Sequence, residues 1–313
     1  MSKITLLKTP KELQAYCIKA KENANAKSTK STDKKGDKKS TLGLVPTMGA
    51  LHAGHSSLIA TSIKQNSHTI VSIFVNPAQF APSEDLATYP RTIEADIARC
   101  EELGASAVFL PQASDMYQSN DEASINPPKS LACVLEGFAR PSHFGGVLQV
   151  IMKLFWLSCA DNAYFGHKDA QQLLVIQKMV KDFFIPISIV PCPIVRDKDG
   201  LALSSRNAYL SKDERKIARA IPKAIESMKK HYDEISAKST KSKNHKIDSK
   251  KVPSAKEVLS VGQKVLQNSG VRLDYLEACD YELKRTDTLT PDKSIILLAG
   301  FVGKTRLLDN LWL

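Results

Sequence analysis

The stretch Thr41-Leu42-Gly43-Leu44-Val45-Pro46-Thr47-Met48-Gly49-Ala50-Leu51-His52-Ala53-Gly54-His55 joins an apolar run to a glycine-bearing turn that holds two histidines. An apolar-periodic segment follows, with Leu58, Ile59 and Ile63 on one helical face. The pattern reads as strand, turn, helix. Such a turn opens a helix N-terminus, whose unpaired N–H groups and positive dipole end attract phosphate. Histidines placed there donate to phosphate oxygens and offset charge that develops as a phosphate is attacked. Taken alone, the stretch is also compatible with a surface turn that carries two histidines by chance.

The alternation of strand and helix continues on both sides. Thr9-Pro10-Lys11-Glu12 is a capping box with proline at the first helical position, and a helix is expected from Pro10. Strands are expected at 42–46, at 68–75 (HTIVSIFV), at 107–110, at 162–165 and at 187–190. Between them, helices are expected from Thr92 to Leu103, with Glu94 and Asp96 in the positive first turn, over 144–159, and over 168–183. This order implies βαβ units and a parallel sheet, with ligands outside the carboxyl ends of the strands. The turns after Val45, Val75 and Phe165 all fall at such ends. Beyond Val195 the character changes. Ser211 and Glu214 form a second capping box, and 272–278 with 294–301 are candidate strands. The expected fold class is α/β: a Rossmann-like parallel-sheet N-terminal domain over 1–194 and a smaller α+β C-terminal lid domain over 195–313, hinged at 193–203.

The net charge of +11 suggests nucleic acid until it is located. Residues 27–39 carry +4 and residues 238–251 carry +5, which leaves little for the remainder. Both stretches are rich in Lys, Ser, Thr and Asp and have too little apolar surface to repay ordering. They read as solvated insertions, at about 27–40 and 237–253, and nucleic acid is not expected as a partner. Cys17, Cys100, Cys133, Cys159, Cys192 and Cys279 are scattered singly. That argues against a zinc site or a disulfide framework and suits a reducing, cytoplasmic compartment. No membrane span is expected.

Four further segments carry candidate chemistry. Asn76 and Gln79 follow an apolar strand, where side-chain amides fix a small polar substrate or merely face solvent. Arg140-Pro141-Ser142-His143-Phe144-Gly145-Gly146-Val147 puts His143 at the head of a helix, as a ligand contact or as a cap and packing group. In Gly166-His167-Lys168-Asp169-Ala170-Gln171-Gln172 the lysine is placed to grip phosphate, with Gln172 a turn further on. The alternative there is a solvent-facing Lys168–Asp169 pair. Leu203-Ser204-Ser205-Arg206-Asn207 offers hydroxyls and a guanidinium suited to phosphate oxygens.

With these segments in order, and with Tyr89-Pro90-Arg91-Thr92 between them, the chain resembles the pantothenate synthetase (pantoate–β-alanine ligase) family over nearly all its length apart from the two lysine-rich insertions. The family belongs to the nucleotidyltransferases marked by a His-x-Gly-His turn. The resemblance implies adenylation of (R)-pantoate by ATP with Mg2+, then capture of the acyl adenylate by β-alanine, giving pantothenate, AMP and pyrophosphate. By position it implies that Met48, Gly49, Ala50, Leu51, His52, Ala53, Gly54 and His55 line the ATP site. His55 stands at the family's proton-donor position, with His52 beside it. Gly166, His167, Lys168 and Asp169 match an ATP-contacting run, Val195 a backbone contact to adenine, and Leu203, Ser204, Ser205 and Arg206 a loop that closes over ATP. Gln79 and Gln172 match pantoate-binding glutamines, and Gln79 also lies near β-alanine. His52, His55, Lys168, Ser204, Ser205 and Arg206 are the implied catalytic set, acting without a protein nucleophile. The family also suggests a homodimer. Two positions depart from its pattern: His167 stands where glutamate is usual, and Leu203 where methionine is usual. Asp96 is a candidate to help hold magnesium, but its neighbour is Ala95, and the metal ligands stay unassigned.

Overall fold

The computed structural model describes residues 4–28, 40–82, 84–119, 121–240 and 252–313; most of each lysine-rich insertion lies outside them. The chain forms two compact units, one of Met1–His167 with Gln171–Pro193 and the other of Lys168–Ala170 with Ile194–Leu313.

The first unit is built on six strands: β1 (Thr5–Leu7), β2 (Leu42–Thr47), β3 (His68–Ile73), β4 (Ala107–Phe109), β5 (Asn162–Gly166) and β6 (Ser188–Cys192). They lie in the order β1-β4-β3-β2-β5-β6, and every neighbouring pair is parallel. Parallel strands are covered on both faces, so their residues are apolar in unbroken runs. Val45, Val71, Val108 and Tyr164 share one face and form a buried cluster with Leu58 and Ile59 of the helix Ala53–Gln65. Leu44, Ile70 and Ala163 alternate to the opposite face and are equally buried. The chain leaves β2 toward β3 and β4 on one side, while β5 and β6 extend the other. Strand order therefore reverses between β2 and β5, and the carboxyl ends of these two strands are where open parallel sheets bind ligands.

The expected strands and helices are present, with shifted ends. The strand expected at 68–75 stops at Ile73, and the one expected at 187–190 runs over Ser188–Cys192, its Pro191 tolerated at the sheet edge. The helix expected from Lys168 begins instead as a 3-10 turn, His167–Asp169, before Ala170–Asp182. The box at Thr9–Glu12 forms in both directions, through Glu12 N–H to Thr9 Oγ1 at 3.2 Å and Thr9 N–H to Glu12 Oε2 at 3.3 Å.

In the second unit, β7 (Arg272–Asp280), β8 (Ser294–Val302) and β9 (Thr305–Trp312) form an antiparallel sheet in that order. The helices Ala220–Thr240 and Ala255–Leu266 pack together, and Ile221, Ala224, Met228 and Val258 share a core with Ile296 and Leu298 of β8. Ser211 and Glu214 cap the helix Lys212–Ala218 reciprocally, as expected. Asp309 is buried in β9 and takes a two-pronged ion pair from Arg196, at 2.7 and 2.9 Å.

Candidate active site

The turn after β2 is held by its own residues. Gly49 and Ala50 are both left-handed, at φ 84° and 50°, which glycine accepts freely and alanine does not. His52 is the N-cap of the helix Ala53–Gln65. Its Nδ1 accepts the Gly54 N–H at 3.1 Å, and its own N–H donates to Nδ1 of His55 at 3.3 Å. Two histidines thus make a capping box, with ring centroids 4.0 Å apart. A ring nitrogen that accepts carries no proton, so the neutral imidazoles both keep theirs on Nε2. The Ala50 and Leu51 N–H groups go to the carboxylate of Asp96, at 2.9 and 2.7 Å.

This corrects the reading of the turn as a set of unpaired N–H groups open to phosphate. Those of Ala50, Leu51, His52 and Gly54 already have acceptors, because the sequence supplies two imidazoles and a buried carboxylate where a generic helix start supplies none. On both imidazoles, then, Nδ1 is the atom that serves the turn. Leu51 packs in the core of the first unit, so a contact from it to a nucleotide is limited to backbone.

Beside the turn, the 3-10 segment Pro77–Gln79 follows β3 with Asn76 as its cap. Asn76 Nδ2 donates to Gln79 Oε1 and to the Gly146 carbonyl, both at 3.1 Å, and its Oδ1 accepts from Ala78 N–H at 3.3 Å and Tyr117 O–H at 2.6 Å. Asn76 is therefore fully engaged and orients Gln79, and neither alternative left by the sequence, a substrate contact or a solvent-facing amide, describes it. Gln79 Nε2 reaches Met48 Sδ at 3.0 Å, which ties the segment after β3 to the turn after β2. Sulfur is a weak acceptor and yields readily to a better one. Gly146 is required here: a Cβ on it would lie 2.1 Å from the Ala78 carbonyl oxygen.

His143 packs, and does not line an open site. Its Nδ1 lies 3.0 Å from the Gln79 carbonyl, next to the Arg140–Glu84 ion pair with contacts of 2.6 and 2.7 Å. Burial, helped by the Arg140 charge, pushes the imidazole down to about 4 from 6.5. Because the unfolded chain takes up the proton first, stability rises with pH between about 4 and 6.5 and is lost on acidification through that window. The full effect is roughly 3 kcal/mol. Urea unfolding from pH 7 down to 4 should show this loss in the wild type and not in His143→Gln. Parallel profiles for the two proteins would assign the loss to other groups.

After β5, Lys168 pairs with Asp169 at 3.0 Å, and its carbonyl accepts from Asn310 Nδ2 at 2.8 Å. The Lys168–Asp169 pair weighed from the sequence therefore does form. Burial lowers the pKa of His167. Of the two adjacent glutamines, Gln171 is buried and binds the carbonyls of Leu131 and Val134 and the Glu136 N–H. Gln172 is half-buried, and its side chain makes no hydrogen bond among the described residues. In the second unit the Val195 carbonyl accepts from Leu203 N–H at 3.0 Å, and Ser204 Oγ caps the 3-10 turn Ser205–Tyr209 by accepting from Arg206 N–H at 3.3 Å. Ser204 thus keeps its O–H as a donor. Among the described residues no group of three His, Cys, Asp or Glu side chains is arranged to hold a metal ion.

The first unit thus brings together Met48, the histidine pair and Gln79, at the ends of adjacent strands. Lys168, Asp169, Val195 and Leu203–Arg206 belong to the second unit. Asp96, Tyr117 and Glu84 complete the supports of the site, and no local sequence signal marks Tyr117.

A family model described as pantoate-beta-alanine ligase matches residues 17–312. The chain belongs to the pantoate–β-alanine ligase family. It is 49% identical over 276 residues to a pantothenate synthetase from Helicobacter pylori strain G27, covering 88% of this chain and 94% of the relative. A pantothenate synthetase from Wolinella succinogenes is 47% identical over 275 residues, with the same coverage. Among solved structures, a pantothenate synthetase from Thermus thermophilus superposes with TM-score 0.81 at 34% identity, covering 98% of this chain and 99% of that one. A pantoate–β-alanine ligase from Francisella tularensis, complexed with beta-gamma ATP and beta-alanine, superposes with TM-score 0.72 at 32% identity and covers 99% and 97%. The parallel sheet with its small antiparallel C-terminal partner is thus the fold of pantoate–β-alanine ligases. No described helix is long and apolar enough to cross a membrane.

Proposed function

We propose that this chain condenses (R)-pantoate with β-alanine at the expense of ATP, through an enzyme-bound pantoyl adenylate. The observation that carries the reading is the histidine pair after β2, held through both Nδ1 atoms in the same turn whose Met48 meets Gln79. In the first step a pantoate carboxylate oxygen attacks the α-phosphorus, the bond to the bridging oxygen breaks, and pyrophosphate leaves. His52 and His55 stabilise the charge that builds on phosphate. Lys168 turns from Asp169 to the phosphates, while Ser204, Ser205 and Arg206 hold the leaving group. Gln79 and Gln172 orient pantoate. In the second step the free amine of β-alanine, near Gln79, attacks the acyl carbon; the carbon–oxygen bond to AMP breaks and the nitrogen loses a proton.

The remaining ATP contacts are assigned to Met48, Gly49, Ala50, Leu51, Ala53, Gly54, Gly166, His167, Asp169, Val195 and Leu203, those of Leu51 and Val195 through backbone. Magnesium fits as an ion carried by the triphosphate, since both Asp96 oxygens are already occupied. It supplies charge neutralisation of the phosphates when bound. The first unit holds pantoate and the reacting phosphate, and the second serves as the lid domain. A cytoplasmic homodimer is the proposed working form.

Incubation with ATP, Mg2+, pantoate and β-alanine should yield AMP, pyrophosphate and pantothenate in equal amounts. Without β-alanine, pyrophosphate should be released once per site and pantoyl adenylate retained. Appearance of ADP and phosphate instead would mean an acyl-phosphate route and overturn the mechanism.

A further inference from the structure

We infer that Asp96 is a positioning residue for the histidine pair, acting through the turn and not through a metal ion. The inference rests on the adenylyl-transfer reading above and deepens it.

Asp96 sits in the helix Ile93–Leu103 and is only 2% exposed. One carboxylate oxygen takes the Ala50 N–H, and the other takes both the Leu51 N–H and the Thr92 hydroxyl, the last at 3.2 Å. The Thr92 bond adds to the two turn bonds and replaces neither, and Thr92 makes no side-chain cap to its own helix. The two backbone bonds fall on the residues that link the left-handed pair Gly49–Ala50 to His52. Without an acceptor there, a non-glycine residue held at positive φ relaxes toward ordinary geometry. The space is also closed from the other side, since a Cβ on Gly49 would lie 3.1 Å from Asp96 Oδ2. A second tie between the two helices, Arg99 to Ser56 Oγ at 3.3 Å, keeps Asp96 in register with the turn.

Only a carboxylate offers acceptors on both arms. In Asp96→Asn one arm becomes an NH2 facing a backbone N–H, so one turn bond is lost and a donor–donor clash replaces it. Misplacing a reacting group by about 1 Å costs on the order of a hundredfold in rate. The loss should therefore appear in kcat for adenylation rather than in ATP affinity.

The test is pantoate-dependent ATP–pyrophosphate exchange in the wild type, Asp96→Asn, Asp96→Ser (one acceptor, no clash) and Thr92→Val, with thermal midpoints and imidazole proton–nitrogen NMR spectra of each. Exchange absent from the wild type would sink the proposed function itself. With the wild type active, both Asp96 variants should lose about thirtyfold or more in kcat with KM for ATP within about threefold. The His52 and His55 signals should leave the pure Nε2–H tautomer, while those of His143 stay in place. Thr92→Val keeps both turn bonds and should retain kcat. Two outcomes would overturn the inference: Asp96 variants with kcat and histidine spectra like the wild type, or Thr92→Val losing as much kcat as they do at a matched thermal midpoint.

Discussion

Replacing His55 by alanine should slow pantoyl-adenylate formation by about two to three orders of magnitude, the usual cost of removing one donor to developing charge. The wild-type ring acts twice. In the proposed mechanism its Nε2–H is a donor to phosphate; its Nδ1 accepts the His52 N–H, so its loss frees one side of the capping box as well. His55→Asn should separate the two: a side-chain oxygen is a good acceptor for a backbone N–H at that distance, but the amide does not reach where Nε2 does. The helix should be restored without the rate. Binding of ATP, measured by calorimetry, should weaken about tenfold or less in both variants, because a transition-state interaction lowers kcat more than affinity. If affinity and rate fall together, His55 is a binding residue only.

The second large effect is expected at Gly146. A methyl group there would meet the Ala78 carbonyl oxygen at 2.1 Å and its carbon at 2.3 Å, both backbone atoms that no rotamer change relieves. Gly146→Ala should therefore push the Pro77–Gln79 segment away from the helix His143–Ser158. That breaks the Asn76 bond to the Gly146 carbonyl and swings Gln79 from its place by Met48. Overpacking of this kind costs about 1–3 kcal/mol or more, so the thermal midpoint should fall by several degrees. The KM for pantoate should rise at least about tenfold while that for ATP changes little. The neighbouring Gly145→Ala is the control, since a Cβ there meets nothing closer than 3.7 Å. Equal behaviour of the two variants would remove the steric account.

How far the molecule can be read from its sequence depends on how local each signal is. The central strands are legible because burial on both faces makes them apolar runs, and the glycine–histidine turn is legible because it sits between a strand and a helix. Two strands are not. β1 is three residues long, too short to show a period. β9 places buried Asp309 and Asn310 among leucines, an interruption whose partners lie far back in the chain: Arg196 for Asp309 and the Lys168 carbonyl for Asn310. At the candidate site, residue types and spacing single out the histidines and Gln79, but not who holds them. Asp96 reads as a helix-start carboxylate or a magnesium candidate until it meets Ala50 and Leu51, 46 and 45 residues away. The adjacent Gln171 and Gln172 are chemically identical, and only the carbonyls of Leu131 and Val134 make the first a structural group. His143 and Asn76 turn from ligand candidates into supports for the same reason: their partners lie on other elements.

The sheet order also sets a schedule for synthesis. β1 is made about a hundred residues before its partner β4, with Thr5 opposite Ala107. At ribosomal speeds of about 5–20 residues per second, it waits several seconds before that partner is translated. A long apolar strand left idle that long would recruit a neighbouring nascent chain. Three residues, of which Thr5 and Leu6 stay exposed even in the finished sheet, are poor bait. The brevity that hides β1 from sequence reading is what lets it wait safely for β4.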